Sequence, residues 1–187
     1  MAGRVRTAAP ATRVCTLAEA QLQTRSSNAS EEARLLALID AATEIAEAYT
    51  RRRFITQSWR WTDEDFDDEI CLPYPPLQSV ESVKYIATDG TLTTVSTSVY
   101  DVRTDETPGE IVLAYGQVWP VPRAQEGAVR VEFTCGYGAA ASAVPAAIRQ
   151  AVLLLVQYMY DGDPMTNGIP PAVATLLGPY RVSRPGA

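Results

Sequence analysis

The spacing of apolar residues changes twice along this 187-residue chain, and that change constrains the fold more than any other feature. Leu35, Leu38, Ile39, Ala42, Ile45, Ala46 and Tyr49 recur at intervals of three and four, the stripe of an amphipathic helix. From Thr56 to Tyr137 the period falls to two. Trp59 and Trp61 share one face against Ser58, Arg60 and Thr62, and Val129, Val131, Phe133 and Cys135 alternate with Arg130, Glu132 and Thr134. Ile70 and Leu72 form a short run stopped by Pro73-Tyr-Pro-Pro76, and Val83, Tyr85 and Ala87 lead into an Asp89-Gly90 hairpin turn. Further strands are predicted near 91–95, 99–103 and 109–115. After Pro145 the pattern is helical again, and Ala151 to Tyr160 reads AVLLLVQYMY. The chain therefore reads as α+β: N-terminal α-helices and a C-terminal α-helix packed on an antiparallel β-meander, with extended terminal arms.

Local signals refine the boundaries. Residues 1–13 lack a period and read as a flexible N-terminal extension; 14–162 read as a single α+β domain, and 163–187 as a C-terminal arm. Thr16 and Glu19 spell a capping box for a short first helix. Asn28 or Ser30 suits the start of the second, where Glu31 and Glu32 complement the helix dipole. Glu47 and Arg51 stand at i,i+4.

Composition matters mainly for what it excludes. There is no histidine, which removes Ser-His-Asp and Cys-His nucleophile systems and His-liganded metal centres. Cys15, Cys71 and Cys135 are far apart and form no CxxC pair, so free thiols in a reducing compartment are expected. The reading is of a chain that is not an enzyme and has no cofactor, metal or small-molecule substrate. No apolar h-region follows Arg4 and Arg6, and the longest apolar run is too short to span a bilayer, so a soluble cytoplasmic product without a membrane partner is expected.

The net charge of −6 argues against a protein that coats nucleic acid, but it is unevenly spread. Residues 1–60 hold nine arginines against six acids, residues 61–128 thirteen acids against three bases, and residues 129–187 three acids against four bases. The densest feature is Asp63, Glu64, Asp65, Asp67, Asp68 and Glu69, interrupted only by Phe66. It imitates the start of a calcium loop, yet Asp68 replaces the tight-turn glycine and Tyr74 the bidentate glutamate. A solvated acidic loop between strands is the leading reading, with an electrostatic contact to an arginine-rich neighbour next. Arg51, Arg52 and Arg53 read either as a solvated helix end or as a contact for an acidic surface or DNA phosphate. Gly136-Tyr-Gly138 lacks the Lys-Ser/Thr of a phosphate loop and reads as a strand exit towards Pro145. Trp59, Trp61, Trp119, Tyr85 and Tyr115 read as core packing rather than base-stacking groups. The last long helix has almost no wet face, which points to a neighbour covering Leu153, Leu154, Val156 and Tyr160; full burial within the chain is the alternative.

The order and spelling of these segments resemble the head–tail connector family of long-tailed bacteriophages, also called head-completion or adaptor proteins, with relatives in gene-transfer-agent particles. The resemblance spans about 14–181. It is carried by Thr16-Leu-Ala-Glu-Ala20, Glu47-Ala-Tyr-Thr-Arg-Arg-Arg-Phe-Ile-Thr-Gln57 and Ile70-Cys-Leu-Pro-Tyr-Pro-Pro-Leu-Gln-Ser-Val80 with its partner Val83-Lys-Tyr-Ile-Ala-Thr-Asp-Gly90. Trp119-Pro120, Val131-Glu-Phe-Thr-Cys-Gly-Tyr-Gly138 and Val144-Pro-Ala-Ala-Ile-Arg-Gln-Ala151 complete it. It implies a structural virion protein of the neck, present in the host cytoplasm during assembly. Such a protein forms a ring matched to the twelve-fold portal, extends the DNA channel and completes the head. The implied partners are further copies of the chain, the portal protein, a stopper or tail-completion protein, and the packaged double-stranded DNA. It also implies portal or neighbour contacts for Tyr180 and Arg181, and more distantly for Arg51–Arg53. A DNA-binding accessory protein acting through Arg51–Arg53 is the alternative.

Overall fold

The computed structural model describes residues 3–162 and 168–182. The chain divides into two compact units, Met1–Ala9 with Thr56–Gly136 and Pro10–Ile55 with Tyr137–Ala187. The first holds the strands and the second the helices, so the α+β class predicted from the change of period is the class observed.

In the strand unit, β1 (Gly3–Ala8), β2 (Gln57–Asp63), β4 (Leu77–Ile86), β5 (Leu92–Thr94) and β8 (Val129–Cys135) form one antiparallel sheet in the order β1-β2-β8-β4-β5. The most regular alternator in the sequence, β8, takes the centre, because its apolar face has the most to gain from neighbours on both sides. Val129, Val131, Phe133 and Cys135 are all buried there, packed with Trp61, Val83 and Leu77. The β2–β8 register runs unbroken from Gln57↔Cys135 to Asp63↔Val129. On the other side β4 shifts register twice against β8, between Leu77 and Ser79 and between Val80 and Ser82. A smaller sheet, β3-β7-β6, joins β3 (Glu69–Cys71), β7 (Glu110–Leu113) and β6 (Tyr100–Arg103) and adds Ile70, Ile111 and Tyr100 to the same core. The Asp89-Gly90 hairpin forms as expected, with Gly90 at φ 92 and the Asp89 carboxylate accepting from the Thr91 amide. Gly109 is required for another reason: a Cβ there would stand 2.5 Å from that of Leu77.

The solvent face of the large sheet carries a charge ladder. Glu132 on β8 accepts from Arg60 Nη2 at 2.7 Å on one side and from Lys84 Nζ and Ser82 Oγ at 3.2 and 3.1 Å on the other. Hydrogen bonds from Arg60 and then Lys84 lower its carboxyl from an ordinary 4.5 to about 2. A carboxyl depressed by folding stabilises fully above its unfolded value, and that contribution is lost as the pH falls from 4.5 to about 2. Glu132→Gln is therefore expected to cost about 1–2 kcal/mol at pH 7, allowing for partial solvent screening, and almost nothing at pH 2. Urea unfolding at the two pH values checks it. An equal cost at both would assign the residue to packing.

β1 replaces the flexible extension expected over 1–13. Its Cα register is Arg4↔Trp61 and Arg6↔Trp59, and its one large apolar side chain, Val5, is 59% exposed, so no buried alternation marks it as a strand. Its Arg4 guanidinium lies 5.8 Å from the Tyr74 ring centroid, and that ring packs 4.5 Å from Trp59.

In the helical unit, α1 (Leu17–Thr24) opens with the predicted capping box, Thr16 accepting from the Glu19 amide while Glu19 accepts from the Thr16 amide. Asn28 caps a 3-10 turn, Ala29–Glu31, that leads into α2 (Glu32–Thr50). α3 (Ala146–Tyr160) follows Pro145, and α4 (Pro171–Leu177) continues into a 3-10 turn, Gly178–Tyr180. One core joins them. Leu35, Ile39, Ala42 and Ala46 meet Ile148, Ala151, Val152, Leu155 and Val156, with Ala20, Val173 and Leu177 alongside. The alanines along α2 and α3 let two backbones approach closely. The segment expected as a C-terminal arm over 163–187 thus contributes α4 to a core; its residues 163–167 and 183–187 lie outside the described residues. Where one domain was expected over 14–162, two units are found, because the strands and the helices each bury an apolar face in their own cluster. Among the described residues no helix is long and apolar enough to cross a membrane.

Candidate functional site

The C-terminal end of α2 gathers two sets of residues that the sequence could only name separately. Arg51 ends the helix in the left-handed region at φ 59 with its side chain exposed. Arg52 Nε donates to the Tyr180 carbonyl at 2.7 Å, and the Val182 amide donates to the Thr50 carbonyl at 3.0 Å. The Arg181 guanidinium lies 5.2 Å from the Tyr49 ring centroid. Arg53 pairs with Glu47 at 3.4 Å, both side chains mostly covered, and Glu47 also accepts from the Phe54 amide. The i,i+4 pair expected between Glu47 and Arg51 is therefore replaced by Glu47 and Arg53, because the left-handed turn at Arg51 brings the chain back towards Glu47. Nearby, burial pushes the Tyr137 phenol up, against a smaller opposing effect of Arg52. Two of the three arginines expected to face a partner thus hold the last described residues of the chain or the end of their own helix.

On α3 the four candidate interface residues separate. Val156 is fully buried in the helical core, which corrects its assignment to a subunit interface: the chain's own core already covers this side chain. Leu153 and Leu154 are half-buried and pack against the edge of that core. Tyr160 is also half-buried. Its hydroxyl donates to Glu31 at 2.7 Å and its ring takes the Arg34 guanidinium at 4.8 Å.

The acidic segment is exposed apart from Asp63 and Phe66, which are half-buried. Asp63 and Asp65 accept from the amides of the residues that follow them, each through its Oδ1. Asp67 and Asp68 are exposed, and Glu69 enters β3. Glu69, Cys71 and Glu110 bring donor atoms within 4.8 Å of one another. Arg103 already pairs with Glu110 at 2.8 Å, and a hydrogen bond between the two carboxyls raises Glu69 while lowering Glu110. The Arg103 guanidinium thus already compensates the Glu110 carboxylate in this group. Burial pushes the Cys15 thiol up to about 11, and burial with neighbouring carboxylates raises Cys71. Neither thiol is primed as a nucleophile.

One surface had not been read from the sequence. Tyr115, expected in the core, is fully exposed, and Val118 and Val121 of the same loop are 80% and 75% exposed. The loop sits beyond the end of β7, where the alternation is broken by Gly116. Trp119 turns back beneath it and stacks on Phe66 of the acidic segment, centroids 4.6 Å apart and planes 4° apart. Trp59, Trp61 and Tyr85 do pack with the core as expected.

The described residues thus present an arginine at a helix end, an acidic loop and an exposed apolar loop on an α+β scaffold. The head completion protein family has a sequence profile that matches residues 14–183, and the chain belongs to that family. Among solved structures, a chain from the neck of an empty gene transfer agent (GTA) particle, computed with C6 symmetry, is 26% identical at a TM-score of 0.81, with 100% of this chain and 98% of that one covered. A chain from the neck of a native GTA particle computed with C12 symmetry is 25% identical at a TM-score of 0.74, covering 97% and 98%. A chain from the virion of a native GTA particle shares the fold at a TM-score of 0.81 and 24% identity, covering 98% of each chain. No curated protein matches the chain.

Proposed function

We propose that this protein is a structural, non-catalytic adaptor of the virion neck: a homo-oligomeric ring between portal and tail that extends the DNA channel and completes the head. The observation that carries the reading is likeness over nearly the whole chain to proteins of particle necks solved with six-fold and twelve-fold symmetry, together with the family match. The portal on one side, a stopper or tail-completion protein on the other and double-stranded DNA through the lumen are the partners that this position implies. A twelve-copy ring would match the C12 symmetry of the related neck. The chain would enter the particle from the host cytoplasm during assembly. Leu153, Leu154 and Tyr160 remain candidates for subunit contacts, and Arg51, Tyr180 and Arg181 for contacts to the portal or to a neighbouring subunit. The alternative of DNA binding through Arg51–Arg53 loses its support, because Arg52 and Arg53 are occupied within the chain.

Deleting the chain from a particle-producing strain tests the reading. Filled heads without tails, restored to tailed particles by the gene in trans, are the expected result. Normal tailed particles in its absence would contradict it.

A further inference from the structure

We infer that the exposed loop around Tyr115 and Val121, with the acidic turn beside it, is a socket for the end of α1 from a second copy of this chain, Leu22 and Arg25. The inference rests on the ring reading above and names its contact.

The socket has a floor, an apolar wall and an acidic rim. An open depression of about 370 Å³ is lined by Glu64, Asp65, Phe66, Trp119 and Val121, among others. The Phe66–Trp119 stack makes the floor rigid. The Trp119 indole N–H is buried with no hydrogen-bond partner among the described residues, so the ring is held here by its stack on Phe66 rather than by a polar contact. Three large side chains this exposed on one loop leave apolar surface that an isolated chain has no reason to keep.

The plug has the complementary composition. Leu22 is 81% exposed in the last turn of α1, the most exposed leucine of the described chain. Three residues on, Arg25 ends the helix at φ 54, a conformation that favours glycine, with an exposed side chain. It has no hydrogen-bond or ion-pair partner from its guanidinium among the described residues. A leucine beside an arginine fits an apolar pocket rimmed by carboxylates, and Asp65 is the rim group nearest the Phe66 floor in sequence. The same match appears in the charge blocks: residues 1–60 carry the excess of arginine and residues 61–128 the excess of acid. Plug and socket are different surfaces of one chain, the requirement for a head-to-tail contact that closes into a ring. Another exposed pairing of apolar and cationic residues, Val5 with Arg6 on β1, is less suited, because Val5 is held in the sheet in register with Arg60.

The test is a charge swap in the full chain, read as the yield of tailed particles in producing cells. Asp65→Arg and Arg25→Glu are each expected to lower the yield about tenfold or more, since the lost contact recurs at every interface. The double variant restores it to within about threefold, whereas Asp65→Arg with Arg6→Glu does not. Single variants at wild-type yield, or a double variant that stays defective while its purified chain is folded, would overturn the inference. A second reading uses Leu22→Cys with Val121→Cys in a Cys71→Ser background. Oxidised particles should give a ladder of covalent multimers, and monomer alone would overturn the contact. Wild-type particles in which the chain lies outside any ring would instead overturn the ring reading itself, an outcome seen without any variant.

Discussion

Val156→Asp is expected to unfold the helical unit rather than to weaken assembly. Val156 is fully buried on α3 among side chains of the same cluster as Leu35, Ile39, Leu155 and Leu177. The substitution removes a buried apolar group and asks a carboxylate to enter a core in which no cation is buried among the described residues. Loss of the apolar group costs about 1.5–3 kcal/mol, and the desolvated carboxylate adds several more. A total beyond about 4 kcal/mol approaches the whole stability of a domain of this size. Circular dichroism should show lost helix and no cooperative thermal transition from the helical unit. A folded variant with the wild-type midpoint would mean that Val156 faces outward, against the packing described here.

The same substitution two residues earlier should separate folding from assembly. Leu154 is half-buried at the edge of the helical core, so Leu154→Asp should cost only about 1–2 kcal/mol in the isolated chain. In a ring that covers this face, the carboxylate is buried at every interface, and incorporation into particles should fall by about tenfold or more. Thermal unfolding of the purified variant and particle yield are the paired readouts. Equal losses in both would assign the outer face of α3 to its own core and remove it from the subunit interface.

These two positions show how much of the site was legible. The run AVLLLVQYMY announced a helix without a wet face, and that much follows from side-chain polarity alone. It could not say which residues the chain covers itself, because rotating the helix by about half a turn exchanges Val156 with Leu154. The α+β class and the capping box at Thr16 were readable because each is written in local chemistry. β1 was not readable: Arg4, Val5 and Arg6 offer no apolar alternation, and the strand exists through backbone pairing with β2. The arginine triplet was visible as charge, but its use depends on where residues 180–182 return, a contact 128 residues distant in sequence. Tyr115 failed the expectation for a simple reason. An aromatic residue after a buried strand reads as core unless the loop is known to turn outward. Trp119 supplied the one local hint, since its proline neighbours mark an end to regular alternation.

The central claim is that this chain works as a ring in the neck, and a reconstruction of the particle that contains it tests this most directly. The account predicts a closed ring of identical copies between portal and tail, with the DNA path through its lumen. Density for the chain elsewhere in the particle, or as single copies without rotational symmetry, would contradict it.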